Sequence, residues 1–416
     1  MTLGTHRLRV LRHARFRRFL LGQTTSLLGS GINTIATTFA VLRLPGGGVD
    51  AVGGVMAARI LAVLAALLLG GVLADRLGAR RVMLAADLLR FLSQGVLAVL
   101  LLTHSVRIWE VVVLAVLLGI GEGGFTPGLS ALVPGLVPAD ELADANALLE
   151  MARPMTSIVG PGLAGLLVAA FDAGTVVAVD AVSYGVSVVA LTGLPVARAA
   201  EGAAGRMFSE LGRGWGEFTS RTWLWVTTLH IGLFNFVLWA PFLVLGPSIA
   251  EQRLGGARAW GLVLALEGVG AIVGGALLLG RKPRRGLAWS VAASAGWAVP
   301  AAALAVGLPL RWVAAAAFCA GIGAAVCTTL ATTVIQRDVP AEVRGRISAF
   351  DSLGAFALGP LGLALAGPVS GVVGADRLLG FGVLWQLTAV GVVLTVPSVR
   401  RHEAATRTGE RVGALR

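Results

Sequence analysis

Twelve long, mostly apolar stretches run the length of this chain, and a chain patterned in this way has few ways to fold. They lie near 18–42, 51–73, 82–103, 108–129, 143–169, 174–195, 222–246, 259–280, 287–308, 312–333, 345–367 and 378–397. An α-helix needs about 20 apolar residues to cross the hydrocarbon core. Inside lipid every backbone polar group must be satisfied internally, which leaves helices and closed barrels. Stretches of this length predict an all-α polytopic membrane protein with twelve transmembrane helices. Only 13% of the 416 residues are charged and 57 are glycine, a composition that suits close helix approach in lipid.

The net charge of +12 does not mark a nucleic-acid partner, because the arginines sit in the short gaps between apolar runs. One side of the membrane collects Arg7, Arg9, Arg12, Arg15, Arg17 and Arg18 from the N-terminal tail. It also takes Arg76, Arg80 and Arg81, the 197–221 gap, Arg281–Arg285, Arg337, Arg344 and Arg346, and the C-terminal arginines. The other side keeps Arg43, Arg107, Arg253, Arg258, Arg311 and Arg377. Positive residues stay cytoplasmic, so both termini are expected there and the span count is even. The basic, then apolar N-terminus lacks a small-x-small cleavage site and reads as a retained first span. The arginine-rich tails are placed to touch anionic lipid headgroups. Cys319 and Cys327 have neither zinc-like nor disulfide spacing and read as core residues. No metal, cofactor or Walker motif is indicated.

The longest polar gap divides the chain into an N-terminal six-helix bundle (1–197), a cytoplasmic linker (198–221), a C-terminal six-helix bundle (222–400) and a basic tail (401–416). The halves echo each other. Val137–Pro138 precedes span five and Val339–Pro340 precedes span eleven. Each then carries an early acid (Glu150; Asp351) and a Gly-Pro pair (Gly160–Pro161; Gly359–Pro360). Such duplication suits two bundles that rock about a central site.

Between spans two and three lies Gly71-x-Leu73-Ala74-Asp75-Arg76-x-Gly78-x-Arg80-Arg81. It resembles the loop signature of the major facilitator superfamily, and Gly280–Arg285 resembles a degenerate second copy. Phe16–Arg17–Arg18 with Gly22–Gln23, Arg59, Asp87–Arg90 and the Asn146…Arg153…Gly160–Pro161…Gly165 pattern are similar to the twelve-span, proton-driven bacterial exporters of drugs and siderophores, of the enterobactin and macrolide type. The resemblance implies a cytoplasmic gate built from Gly71, Asp75, Arg76, Gly78, Arg80 and Arg81 with Arg344 and Arg346 of span eleven. Asp75 opposes the negative end of its own helix, and the resemblance implies that the start of span eleven compensates it. Simple topogenic charge would need the arginines alone. Gly160, Pro161, Gly162 and Gly165 resemble the span-five signature of antiporters; ordinary close helix contact is the plainer reading.

Charged groups inside spans are costly and face protein or a water-filled cavity. Asp87–Arg90 and Glu150–Arg153 are spaced i,i+3 and read as intramembrane ion pairs. Arg59 has no acid near it in sequence, and Asp180, at similar depth, is its expected partner. Glu122, Glu267 and Asp351 are the candidates for proton coupling. Gln23, Asn33, Arg59, His230, Asn235 and Trp239 are candidates for the substrate cavity, although His230 also reads as a plain buried polar contact. The leading function is proton-coupled efflux of hydrophobic or amphipathic organic compounds from a bacterial cell membrane by a single chain. The alternatives are an importer or exchanger of one metabolite, and a non-transporting receptor or scaffold. No nucleophile and base pair points to an enzyme.

Overall fold

The computed structural model describes residues 9–194, 215–281, 283–400 and 402, and within these the regular structure is helical. The helices are α1 (Ala14–Arg43), α2 (Val49–Leu77), α3 (Ala79–Leu102), α4 (Ile108–Leu132), α5 (Leu142–Ala170), α6 (Ala173–Thr192), α7 (Thr222–Phe234) and α8 (Ala240–Ile249). They continue as α9 (Ala257–Leu278), α10 (Gly286–Ser294), α11 (Ala298–Ala305), α12 (Leu310–Asp338), α13 (Ala341–Phe356), α14 (Gly359–Val373) and α15 (Ala375–Thr395).

Eleven helical segments among the described residues are long and apolar enough to cross a membrane, one fewer than the twelve expected. The difference is α5. It is one continuous helix of 29 residues, of which Val159–Ala170 is the apolar stretch among the described residues. Boundaries differ as well. The seventh span runs from Thr222 to Leu254, beyond the expected end at 246, and the eleventh from Ile347 to Val373. Cys319 is exposed and Cys327 half-buried, so neither is the fully enclosed core residue the sequence suggested.

Three spans are interrupted for one reason. Proline has no N–H to give the carbonyl four residues back. Pro241 strips Val237, which lies in a π-helical turn at Asn235–Trp239. Pro300 strips Gly296, in the 3-10 turn Ala295–Trp297. Pro360 strips Phe356, the last residue of α13.

The chain forms two compact units: Met1–Gly205 with Ala250–Ala265, and Arg206–Ile249 with Leu266–Arg416. In the first, α3 buries Asp87, Arg90, Ser93 and Gln94 and exposes Leu88, Leu92, Val96 and Val99. Helix α6 buries Asp180, Ser183, Tyr184 and Ser187 and exposes Val182, Val186 and Val189. Polar faces turned inward and apolar faces outward are what a lipid solvent demands. Phe16, Phe19, Met83, Phe125 and Leu132 fill one apolar core of this unit. Trp223, Leu224, Leu287, Val334 and Ile347 share a core in the second.

Candidate functional site

Helices α2 and α4 approach so closely because glycines face backbone. A Cβ at Gly119 would lie 2.4 Å from the Arg59 carbonyl, and one at Gly123 would lie 2.3 Å from that of Val63. This brings Arg59 of α2 to Glu122 of α4. The Arg59 Nη2 and Nε donate to Glu122 Oε2 at 2.9 and 3.2 Å. The expected pairing of Arg59 with Asp180 is therefore corrected. The long guanidinium arm spans the offset along the helices, and a half-exposed Glu122 holds it. Glu122 is thus held in an ion pair with Arg59 in this structure.

A second pair lies deeper. Asp87 accepts from the Arg90 Nη2, and its other oxygen accepts from the Ser187 hydroxyl at 2.5 Å. Arg90 lies 4.5 Å from the Phe125 ring centre and 4.7 Å from that of Tyr184. Gly121 leaves room for this arginine, since a Cβ there would fall 2.6 Å from Arg90 Cγ. The Tyr184 hydroxyl meets Ser30 at 2.9 Å. Asp180 is fully buried, with Ser183 3.4 Å from Oδ1 and no partner for Oδ2. Phe125, Tyr184 and Ser187 could not be assigned to this cluster from sequence, because only helix packing brings them there.

Beside this network opens a small cavity, lined by Asn33, Thr34, Thr37, Thr38, Arg59 and Gln94 over an apolar floor. Asn33 accepts from Thr37 at 2.8 Å, and Gln94 keeps a buried, unpartnered Oε1. Gln23 is buried with Oε1 unpartnered, but it does not line this cavity.

In the second unit a small cavity is lined by residues that include Trp223, Thr227, His230, Ser290, Cys327 and Asp351. Asp351 accepts from the Thr228 hydroxyl. His230 Nε2 meets Ser294 at 3.2 Å, while Nδ1 is unpartnered. Asn235 donates to the Ala355 carbonyl at 2.7 Å and joins α7 to α13. Trp239 sits half-buried in the π-turn, outside the lining of both cavities. Glu267 has no hydrogen bond or ion pair among the described residues, and its own carbonyl faces Gly321.

At the basic hinge, Gly78 has φ of +88° at the start of α3, a conformation that glycine adopts without strain. Arg80 donates to the Leu191 and Thr192 carbonyls at the end of α6, where cations are favoured. Arg76 and Arg81 are exposed. Arg344 folds back on the Val339 carbonyl at 3.1 Å. The surroundings of Gly71 and the side chains of Asp75, Arg153 and Arg346 lie outside the described residues, and with them the Glu150–Arg153 pair. In α5, Gly160 meets Gly31 of α1, and Gly165 and Pro161 meet Gly261. Gly162 meets Ala265.

A family model described as the Major Facilitator Superfamily matches residues 19–363. The multidrug efflux pump Tap of Mycolicibacterium fortuitum is 28% identical over 402 residues, spanning 93% of this chain and 97% of that protein. Macrolide efflux protein A of Streptococcus pyogenes is 27% identical over 169 residues, 40% of this chain and 41% of that one. The solved structure of the nucleoside transporter NupG superposes with a TM-score of 0.67 at 12% identity, over 92% of this chain and 98% of its own. That likeness shows the fold alone.

Proposed function

The chain belongs to the Major Facilitator Superfamily, a family of transporters, and from that membership we propose that it exports amphipathic organic compounds in exchange for protons. The observation that carries this reading is the make-up of the two cavities. Each has mostly apolar walls interrupted by a few hydroxyl, amide and ionisable groups. Such a lining takes an amphipathic molecule better than a sugar. The names of the two efflux relatives support the same direction of transport. Coupling needs carboxylates inside spans, and Glu122, Asp180, Glu267 and Asp351 supply them.

The proposal extends to the architecture. Helix α5, with 29 residues, reaches about 43 Å at 1.5 Å per residue, enough to serve as the twelfth span. Two six-helix bundles then divide the chain as 1–197 and 222–400, with the 198–221 linker and both termini in the cytoplasm of a bacterial cell. The bundles work by alternating access as a monomer, with lipid, protons and a small organic substrate as partners. Repeated glycine contacts support the symmetry. Gly119 and Gly123 face backbone carbonyls of α2, as Gly270 and Gly274 face those of Phe318 and Ile322 in α12. The hinge from Gly71 to Arg81 serves in the cytoplasmic gate.

The test is uptake of ethidium and erythromycin into inverted membrane vesicles with an acidic lumen. Accumulation that a protonophore abolishes supports export. Loss of preloaded compound under the same gradient identifies an importer. Uptake indifferent to the gradient rejects proton coupling.

A further inference from the structure

We propose that Asp180 holds a proton in the described state, and that this proton and a cationic substrate exchange through Arg59, which alternates between Glu122 and Asp180. The inference deepens the proton-coupled reading and rests on it.

The argument begins with an inventory of charge. In the first unit Arg59 and Arg90 meet three carboxylates: Glu122, Asp87 and Asp180. Two donors of Arg59 are bound to Glu122. Arg90 is bound to Asp87, with Phe125 and Tyr184 over its guanidinium. Asp180 is left over. It is fully buried, its nearest donor is a 3.4 Å hydroxyl, and its second oxygen has none. A carboxylate anion is not held in that setting without a partner; a neutral acid is. Among the described residues, Arg59 and Arg90 are the cations that act on Asp180. Around Asp180, α1 presents Gly29, Ser30 and Asn33, and the Tyr184 hydroxyl is engaged by Ser30.

The threonine-lined cavity lies beside this group, although Asp180 itself is not in its lining. Asn33 lines it, and Gly29, one turn away on α1, sits so close that a Cβ would lie 2.6 Å from Asp180 Oδ1. Arg59 lines the cavity too and interacts electrostatically with both Glu122 and Asp180. A proton passes from cavity water to Asp180 Oδ2 and neutralises it. When Asp180 releases that proton, Arg59 gains a competing anion and moves toward it. The half-exposed Glu122 is then free to hold a cation. Protonation of Asp180 returns Arg59 to Glu122 and displaces the cation. Proton and substrate thus exclude each other, as antiport requires.

The experiment uses the full chain in liposomes and two readouts. Infrared titration follows the carbonyl band of protonated carboxylic acids, and fluorescence follows ethidium binding against pH. Asp180→Asn is expected to remove one component of the wild-type acid band, while Glu267, unpartnered among the described residues, leaves another in place. Glu122→Gln should remove it as well with Asp180 still present, because Arg59 then pairs with Asp180. Ethidium binding should strengthen about tenfold, the usual scale of site coupling, as pH rises. It should be weak and independent of pH in Asp180→Asn. A total acid-band area unchanged by both variants, or ethidium binding that keeps its pH dependence in Asp180→Asn, overturns the exchange. Absence of gradient-driven uptake in wild-type vesicles, with the band and its losses as expected, rejects the export reading and leaves the proton on Asp180 standing.

Discussion

At the residue scale, Arg90 is the centre of the first unit. It neutralises Asp87, lies against two aromatic rings and fills the space that Gly121 leaves. The i,i+3 spacing made the Asp87–Arg90 contact legible in the sequence. The rings and Ser187 were not, because they come from α4 and α6 and nothing in local spacing joins them. Removing one partner of a buried pair leaves an uncompensated charge and costs about 3–5 kcal/mol. Arg90→Ala is therefore expected to lower the unfolding temperature of the purified protein in detergent strongly. Arg90→Ala with Asp87→Asn should recover much of that loss, since no lone anion remains. Thermal unfolding of the two single variants and the double variant measures it. Additive losses would show that Arg90 acts by filling space, and that the pair contributes little.

At the scale of helices, adjacent glycines have opposite duties. A Cβ on Gly123 runs into the Val63 carbonyl at 2.3 Å, whereas one on Gly124 meets nothing within 4 Å. The same contrast recurs in the second unit, where Gly274 faces the Ile322 carbonyl at 2.6 Å and Gly275 faces open space. Backbone cannot yield as a flexible side chain does, and overpacking of this kind costs about 1–3 kcal/mol. Gly123→Ala and Gly274→Ala should reduce thermal stability and yield of folded protein. Gly124→Ala and Gly275→Ala should be neutral or slightly stabilising, because alanine favours helix over glycine by about 1 kcal/mol. Size-exclusion profiles after heating distinguish the pairs, and equal loss at all four positions would mean that glycine flexibility matters more than close approach. The abundance of glycine was visible in composition, but which of two neighbours touches a helix depends on rotation about the axis. Arg59 escaped for the same reason: its acid lies 63 residues away on a helix whose facing side is set by Gly119 and Gly123.

For the whole molecule, apolar length made most spans legible, because lipid leaves no other fold for such stretches. Helix α5 was legible by the same length, although its first half also carries Asp144, Glu150 and Arg153. Orientation rests on the arginine bias, and it decides to which side of the membrane the cavity at the α1–α2 end opens in the described state. A background with Cys319→Ser and Cys327→Ala allows single-cysteine labelling. Ser105→Cys lies in the exposed turn between α3 and α4, and Ser220→Cys precedes α7. An impermeant maleimide added to intact cells should label Ser105→Cys and reach Ser220→Cys only after permeabilisation. Three spans separate the start of α4 from the 198–221 linker if α5 crosses, and two if it does not. Labelling of both positions from outside would therefore remove α5 from the membrane and make the span count eleven. Labelling of Ser220→Cys alone would invert the molecule and turn the same cavity toward the cytoplasm. Exchange driven by an inward proton gradient would still run as export, because an alternating site opens to both sides in turn; only the side to which the described state opens would change.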